Sequence, residues 1–240
     1  MPYDRFRRAF RTLRTFGGVD TLLAAIASYA LQIPARRGNA FDASFGIETT
    51  EPVAVTPRDF VDGSHASAIW YFPSLPEVFA SVMRTLDVRA EDFTFVDIGC
   101  GKGRVLVMAG QWPFRQVLGV EASTAVSRVA RKNLGKVASR TAMGVITGNA
   151  LSFEMPPGDL LLYLYNPFSK FEAYVEFLRH LEDSLRREPR RVVLVYVCPV
   201  HVKAFDECHF LRPLERYELL VSDYTWHAFT NTKYVPRSNC

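Results

Sequence analysis

From Phe93 onward the chain alternates short apolar runs with longer stretches in which apolar residues recur every three or four positions. The short runs are FTFVDI (93–98), QVLGVE (116–121), AMGVIT (142–147), LLLYLY (160–165) and RVVLVYV (191–197). Their near-continuous apolarity is that of strands covered on both faces, which predicts a mostly parallel sheet with helices on either side. Between them, Ser123 stands as an N-cap before a helix reaching about Lys136, and SLPE (Ser74–Glu77) and SKFE (Ser169–Glu172) have the S-x-x-E form of a capping box. The second box opens a helix whose Phe171, Tyr174, Val175, Leu178, Leu181 and Leu185 share one face. Beyond Phe210, RPLERYELLV and TWHAFTNTKYV read as two strands joined near Ser222–Tyr224, an antiparallel pair closing the sheet edge. Gly38–Gly63 reads as loop. The pattern divides the chain into an N-terminal helical and loop extension, 1–70, and a main domain, 71–240.

Composition changes this picture little: 240 residues with 48% hydrophobic and 22% charged suffice for a sizeable core and exclude a disordered or fibrous chain. Charge is uneven. Seven arginines (5, 7, 8, 11, 14, 36, 37) stand against Asp4 and Asp20 in the first forty residues, so a basic arm precedes a nearly neutral body. A solvated helix face is the plain reading of that arm, and an acidic surface is its alternative partner. Nucleic acid ranks below a protein or small molecule as partner, and peripheral membrane contact through the basic helix stays open. The apolar stretch Val19–Ile33 is fifteen residues long and contains Asp20, short of the ~20 that a spanning helix needs. The four cysteines show no CxxC pair, which favours a reducing, cytoplasmic setting. Cys198, His201, Cys208 and His209 match no common zinc spacing, and no metal is expected.

The chemistry is concentrated in FVDIGCGKGR, where Gly99, Gly101 and Gly103 follow the first strand and lead into a helix. Such a turn presents free backbone N–H groups in the crevice where the sheet's connections diverge, and glycine lets a nucleotide-like ligand approach the main chain. A P-loop is excluded because Lys102 is followed by Gly103 and Arg104 instead of Ser or Thr. A dinucleotide fingerprint needs its third glycine one residue later, which counts against NAD without removing it. Asp97, two residues before Gly99, would repel a pyrophosphate but suits a ligand carrying an ammonium and a sulfonium. Glu121 ends the next strand, where a carboxylate can accept hydrogen bonds from ribose hydroxyls.

These residues resemble the class I, seven-stranded S-adenosylmethionine-dependent methyltransferases, with VDIGCGKGR as cofactor motif and GVEAS (119–123) as acidic ribose motif. The resemblance covers about residues 70–235 and implies strand order 3-2-1-4-5-7-6 with the last strand antiparallel. It also implies S-adenosyl-L-methionine as cofactor and S-adenosyl-L-homocysteine as product. The cofactor residues it implies are Tyr71, Asp97, Gly99, Cys100, Gly101, Gly103, Arg104, Glu121, Ala122, Asn149, Ala150 and Asn166. Asn149 stands where the family usually has an acid near the adenine amine, and Tyr71 belongs to YFPS, a segment that lines the methionine end in similar proteins. GKGR is similar to the loop of a group of bacterial methyltransferases and their protein-lysine-modifying relatives.

After the fourth strand, YNPFSK resembles the D/N-P-P-Y/F motif of N-methyltransferases with one proline fewer, and its N-x-F spacing resembles histone lysine methyltransferases of the seven-stranded class. Asn166, Pro167 and Phe168 are therefore the expected catalytic residues. Asn166 and the Pro167 carbonyl would accept N–H bonds from an amine or amide, and Phe168 would supply a wall for a cation. Tyr163, Tyr165, Tyr196 and His201 lie on the same rim. N-terminal helices would cover the acceptor side as a lid. The expected function is N-methyl transfer to a protein lysine or a small-molecule amine or amide. A non-catalytic S-adenosylmethionine-binding module and an NAD-type oxidoreductase are the alternatives.

Overall fold

A computed structural model describes residues 35–51, 53–66, 73–86, 88–218 and 225–231. Seven strands form one sheet: β1 (Thr94–Ile98), β2 (Gln116–Glu121), β3 (Met143–Thr147), β4 (Leu160–Tyr165), β5 (Val192–Val197), β6 (Arg212–Glu218) and β7 (Thr225–Thr230). Their order is β3-β2-β1-β4-β5-β7-β6, as the family resemblance implies. β1 pairs in parallel with both β2 and β4, and β7 runs antiparallel to β5 and β6. The join expected near Ser222–Tyr224 lies outside the described residues.

Strand periodicity divides the core between the two faces of the sheet. Phe95, Val117, Leu161, Tyr163, Val193, Val195 and Trp226 pack on one face, against α2 (Pro76–Leu86) and α3 (Arg104–Ala109). Val96, Ile98, Val120, Leu162, Leu164, Leu194 and Tyr196 pack on the other, against α5 (Phe171–Arg187). Tyr174, Leu178 and Leu181 of α5 are buried there, and Phe171, Val175 and Leu185 lie partly buried beside them.

The helix starts differ from the expected capping boxes by one residue. α2 opens at Pro76, whose fixed φ and missing N–H suit the first turn, so Leu75 precedes it and Ser74 instead meets the Tyr163 hydroxyl at 3.4 Å. α5 opens at Phe171 with Lys170 in the cap position and no side-chain cap. Only the third cap is as read: Ser123 Oγ accepts from Val126 N–H at the start of α4 (Thr124–Leu134).

The segment read as loop is more structured than expected. It contains most of α1 (Ala35–Phe45) and short 3-10 turns at Pro57–Asp59 and Val61–Ala66. Its anchors are tertiary. Asn133 of α4 accepts from Glu48 N–H and donates to the Glu48 carbonyl, Lys136 donates to the Gly46 carbonyl, and Val61 N–H donates to the Ala122 carbonyl. The described part of the extension is thus fastened around the loops that follow β1 and β2. The arginine-rich arm and Val19–Ile33 lie outside the described residues. No helix among the described residues is long and apolar enough to cross a membrane.

Candidate functional site

The chain leaves β1 for β2 on one side and reaches β4 on the other, so a crevice opens at the C-terminal ends of β1 and β4. Gly99 stands at its head with φ of 77°. A Cβ at Gly99 would lie 3.0 Å from Pro167 Cβ, so both the left-handed backbone and the approach of the β4 loop require glycine. The loop after β1 and the YNPF loop after β4, far apart in the chain, are in contact here. Gly101 and Gly103 also take positive φ, 54° and 84°, but both are buried, and Gly99 is the exposed residue of the three glycines. Instead of the free N–H groups expected of the turn, Gly99 and Cys100 donate to the Val120 carbonyl, Gly101 to Glu121 and Gly103 to the Cys100 carbonyl.

Two carboxylates flank this turn. Asp97 is only 3% exposed, in register between Gly119 of β2 and Tyr163 of β4. Burial, then the nearby Glu121 charge, pushes its carboxyl well above the ordinary range. Glu121 Oε2 accepts from Gly101 N–H at 3.0 Å and Oε1 from Ser123 N–H at 2.8 Å, so it ties the glycine turn to the start of α4. Burial raises the Glu121 carboxyl, against the pull of its main-chain N–H bonds. Each of its oxygens keeps a lone pair for a further donor such as a ribose hydroxyl. Among the described residues no basic side chain enters the balance of either carboxylate.

Of the other expected cofactor residues, Cys100 donates its N–H to the Val120 carbonyl and buries its thiol beneath β2, where a Cβ on Gly119 would meet Sγ at 2.5 Å. Asn149 Oδ1 accepts from Leu151 N–H, which fixes the loop after β3, and Ala150 is buried beside it. Tyr71 lies outside the described residues. Arg104 is committed elsewhere: its guanidinium, 2% exposed, donates to Asp42 Oδ1 at 3.2 Å and Thr49 Oγ1 at 2.6 Å, and sits over the Phe41 ring.

The expected acceptor residues are rearranged. Asn166 takes φ of 45°, and its carboxamide is spoken for: Nδ2 donates to the Cys198 carbonyl at 2.7 Å, while Oδ1 accepts from the Tyr196 hydroxyl and Val200 N–H. Two backbone partners of opposite kind settle which end is oxygen. Asn166 therefore brackets the ends of β4 and β5, and both lone pairs of Oδ1 are used. Phe168 is not a wall of the crevice but core, 6% exposed and packed edge-on to Tyr174 and against Phe177. With one proline fewer, the aromatic arrives early and turns under the start of α5. Tyr163 and Tyr196 are likewise buried in the two cores, and Tyr165 remains half-buried. His201 lies against Phe171 and Tyr174, with Nε2 3.2 Å from the Ser169 carbonyl.

Sequence reasoning missed the partners of the two cations in the glycine loop. Lys102, 1% exposed, donates to Glu48 Oε2 at 2.8 Å and to the Glu51 carbonyl. The signal was present: a lysine and an arginine in a loop that must bury itself need acids, and Asp42, Glu48 and Glu51 precede them. Among the described residues no group of His, Cys, Asp or Glu is arranged to hold a metal.

Comparison with known proteins agrees with this geometry. The family model of the histone methylation protein DOT1 matches residues 43–155, slightly less than half of the chain and including both carboxylates. A SAM-dependent methyltransferase from Aquifex aeolicus is similar in structure, with a TM-score of 0.50 and 12% identity over 64% of this chain and 89% of that one. A possible methylase from Clostridium difficile gives a TM-score of 0.51 at 13% identity, over 70% of this chain and 55% of that one. Geranyl diphosphate C-methyltransferase from Streptomyces coelicolor, solved with Mg2+, geranyl diphosphate and S-adenosyl-L-homocysteine, gives 0.50 at 15% identity, over 65% and 79%. No curated protein matches the chain. The chain has the seven-stranded fold of the class I S-adenosylmethionine-dependent methyltransferases.

Proposed function

We propose that this protein is an S-adenosylmethionine-dependent N-methyltransferase. The observation that carries this reading is the pair of carboxylates, Asp97 buried and Glu121 partly buried, held on either side of a left-handed glycine turn with no basic side chain of the described residues in their balance. Two carboxylates whose ionisation burial resists are matched by a ligand that brings its own positive charge. A dinucleotide pyrophosphate would add negative charge to the same place. The DOT1 family match supports the same cofactor.

In this reading Glu121 receives the ribose hydroxyls on its remaining lone pairs, Asn149 and Ala150 flank the adenine, and Asp97 faces the cationic methionine end. The cofactor supplies an electrophilic methyl group on its sulfonium. The chain's part is to align a nucleophile with that methyl group and leave its lone pair free. The nucleophile approaches over Pro167, which touches Gly99. Because Asn166 Oδ1 is engaged, the Pro167 carbonyl is the group that accepts the nucleophile's N–H, and Asn166 holds the rim on which it sits. A protein amine, lysine above all, is the favoured acceptor, since the matching family model is that of a histone methylation protein. The described part of the 1–70 extension serves the cofactor side, where Asn133 ties Glu48 to the glycine turn.

Titration calorimetry with S-adenosyl-L-homocysteine tests the reading, with NAD as control. Saturable binding of the first and none of the second is expected. The reverse preference would overturn it.

A further inference from the structure

The glycine turn carries two positive charges of its own, Lys102 and Arg104, beside Gly101, whose N–H donates to Glu121. If both cations faced the ligand, they would cancel the attraction that Asp97 and Glu121 exert on a cation. Neither is left unbalanced. Arg104 is buried against Asp42, and Lys102 against Glu48. Both acids come from one strand of chain, residues 42–51, that closes on itself: Thr49 donates its N–H to Asp42 Oδ2 and its hydroxyl to Asp42 Oδ1, each at 2.6 Å, and Glu51 N–H donates to Glu48 Oε1. Asn133 locks this segment to the glycine turn, donating to both the Glu48 and Lys102 carbonyls. Arg131, another cation of α4, is held by the Thr147 hydroxyl and the Val145 carbonyl.

Charges are thus sorted across the turn. On one side two cations meet two strap carboxylates and sum to zero. On the other, Asp97 and Glu121 have no basic partner among the described residues. We propose that Asp42 and Glu48 are specificity-determining residues: by neutralising Arg104 and Lys102 behind the glycine turn, the 42–51 strap makes the site select a sulfonium ligand over its neutral thioether counterpart. The inference rests on the methyltransferase reading and names a function for the segment that the fold alone does not. Buried charges act over longer distances than exposed ones because water and salt screen them less, so removing one strap carboxylate leaves a cation felt at the ligand.

S-adenosylmethionine and S-adenosylhomocysteine share adenosine, ammonium and carboxylate, and differ by a methyl group and one positive charge at sulfur. The ratio of their dissociation constants therefore reads the field at that atom. Asp42→Asn and Glu48→Gln keep size and most hydrogen bonds while deleting one charge each. Each is expected to raise the ratio of the sulfonium to the thioether dissociation constant by roughly three- to tenfold, the scale of one unbalanced charge at an effective dielectric near 20. Adding Arg104→Gln to Asp42→Asn is expected to restore the ratio, which a purely structural role would not do. Equal weakening of both ligands, with an unchanged ratio, overturns the proposal and leaves the strap a packing element. Glu48 is half-exposed, so Glu48→Gln gives a folded test even where Asp42→Asn does not fold. Wild-type protein that binds neither compound sinks the methyltransferase reading itself, a result distinct from an unchanged ratio.

Discussion

Asp97 makes the strongest demand of any single residue, because its carboxylate is buried with another acid as neighbour. Its folded-state pKa lies above the unfolded value of 3.8, so the folded chain holds the proton where the unfolded chain loses it. Stability therefore falls as pH rises from the ordinary carboxylate range through that raised value. A cationic ligand lowers the pKa again. Its affinity should climb as pH passes through the raised value of the free protein and level off above it, and Asp97→Asn should flatten the profile; calorimetry across pH checks both. Glu48 runs the other way. Burial opposes its ionisation, but bonds to Lys102 and to the Glu51 and Thr50 N–H groups outweigh it and hold its pKa below 4.5. Its ion pair is present above that value and is lost as pH falls through the lowered one. Glu121→Ala removes the acceptor of two main-chain N–H groups and the proposed ribose contact. A loss of about 1–3 kcal/mol in homocysteine-cofactor affinity is expected by calorimetry. Unchanged affinity would take Glu121 out of the ribose site.

At the scale of elements, the five parallel strands were legible to within a residue at each end, because strands buried on both faces must be apolar throughout. Helix starts were less legible. SLPE and SKFE contain the letters of a capping box, yet Pro76 and Phe171 take the first turns, one residue later than the boxes require. From Gly38 on, a glycine, an asparagine and little apolar periodicity predict loop where the structure has most of α1. What orders that region is the buried pairing of Asp42 with Arg104, a contact between residues 62 positions apart that no local pattern announces. The positions of Asp97 and Glu121 beside the glycine turn were readable from motif and charge. The inward turn of Phe168 was not, since it depends on packing against Tyr174 and Phe177 of α5, which the loop motif does not contain.

The junction of β4 with β5 shows the same division. Asn166 and Pro167 stand where the motif puts them, but what the Asn166 side chain touches depends on Tyr196 and the 198–200 turn. Asn166→Ala should therefore cost stability, about 1–3 kcal/mol by urea unfolding, through orphaning the Tyr196 hydroxyl and the Val200 N–H. It should reduce turnover while sparing cofactor affinity. Loss of cofactor affinity with normal turnover would contradict the acceptor-side placement. Gly99→Ala is expected to be worse than its size suggests. It forces an L residue to φ of 77° and presses Cβ on Pro167, for about 1–3 kcal/mol of stability by the same measurement.

For the whole molecule, the sheet divides the work: β1 and β2 present the carboxylates, β4 and β5 present a braced rim, and the segment before β1 is fastened behind the glycine turn. The family resemblance implied the strand order, and the pairing of every strand agrees with it. Methyl transfer itself is the claim on which the rest depends. Incubation of the protein with methyl-labelled S-adenosylmethionine and fractionated cell extract, beside Glu121→Ala, measures it directly. Label is expected in a protein fraction with the wild-type chain and little with the variant. Equal label with both, or none with a wild-type chain that binds the cofactor, would contradict it.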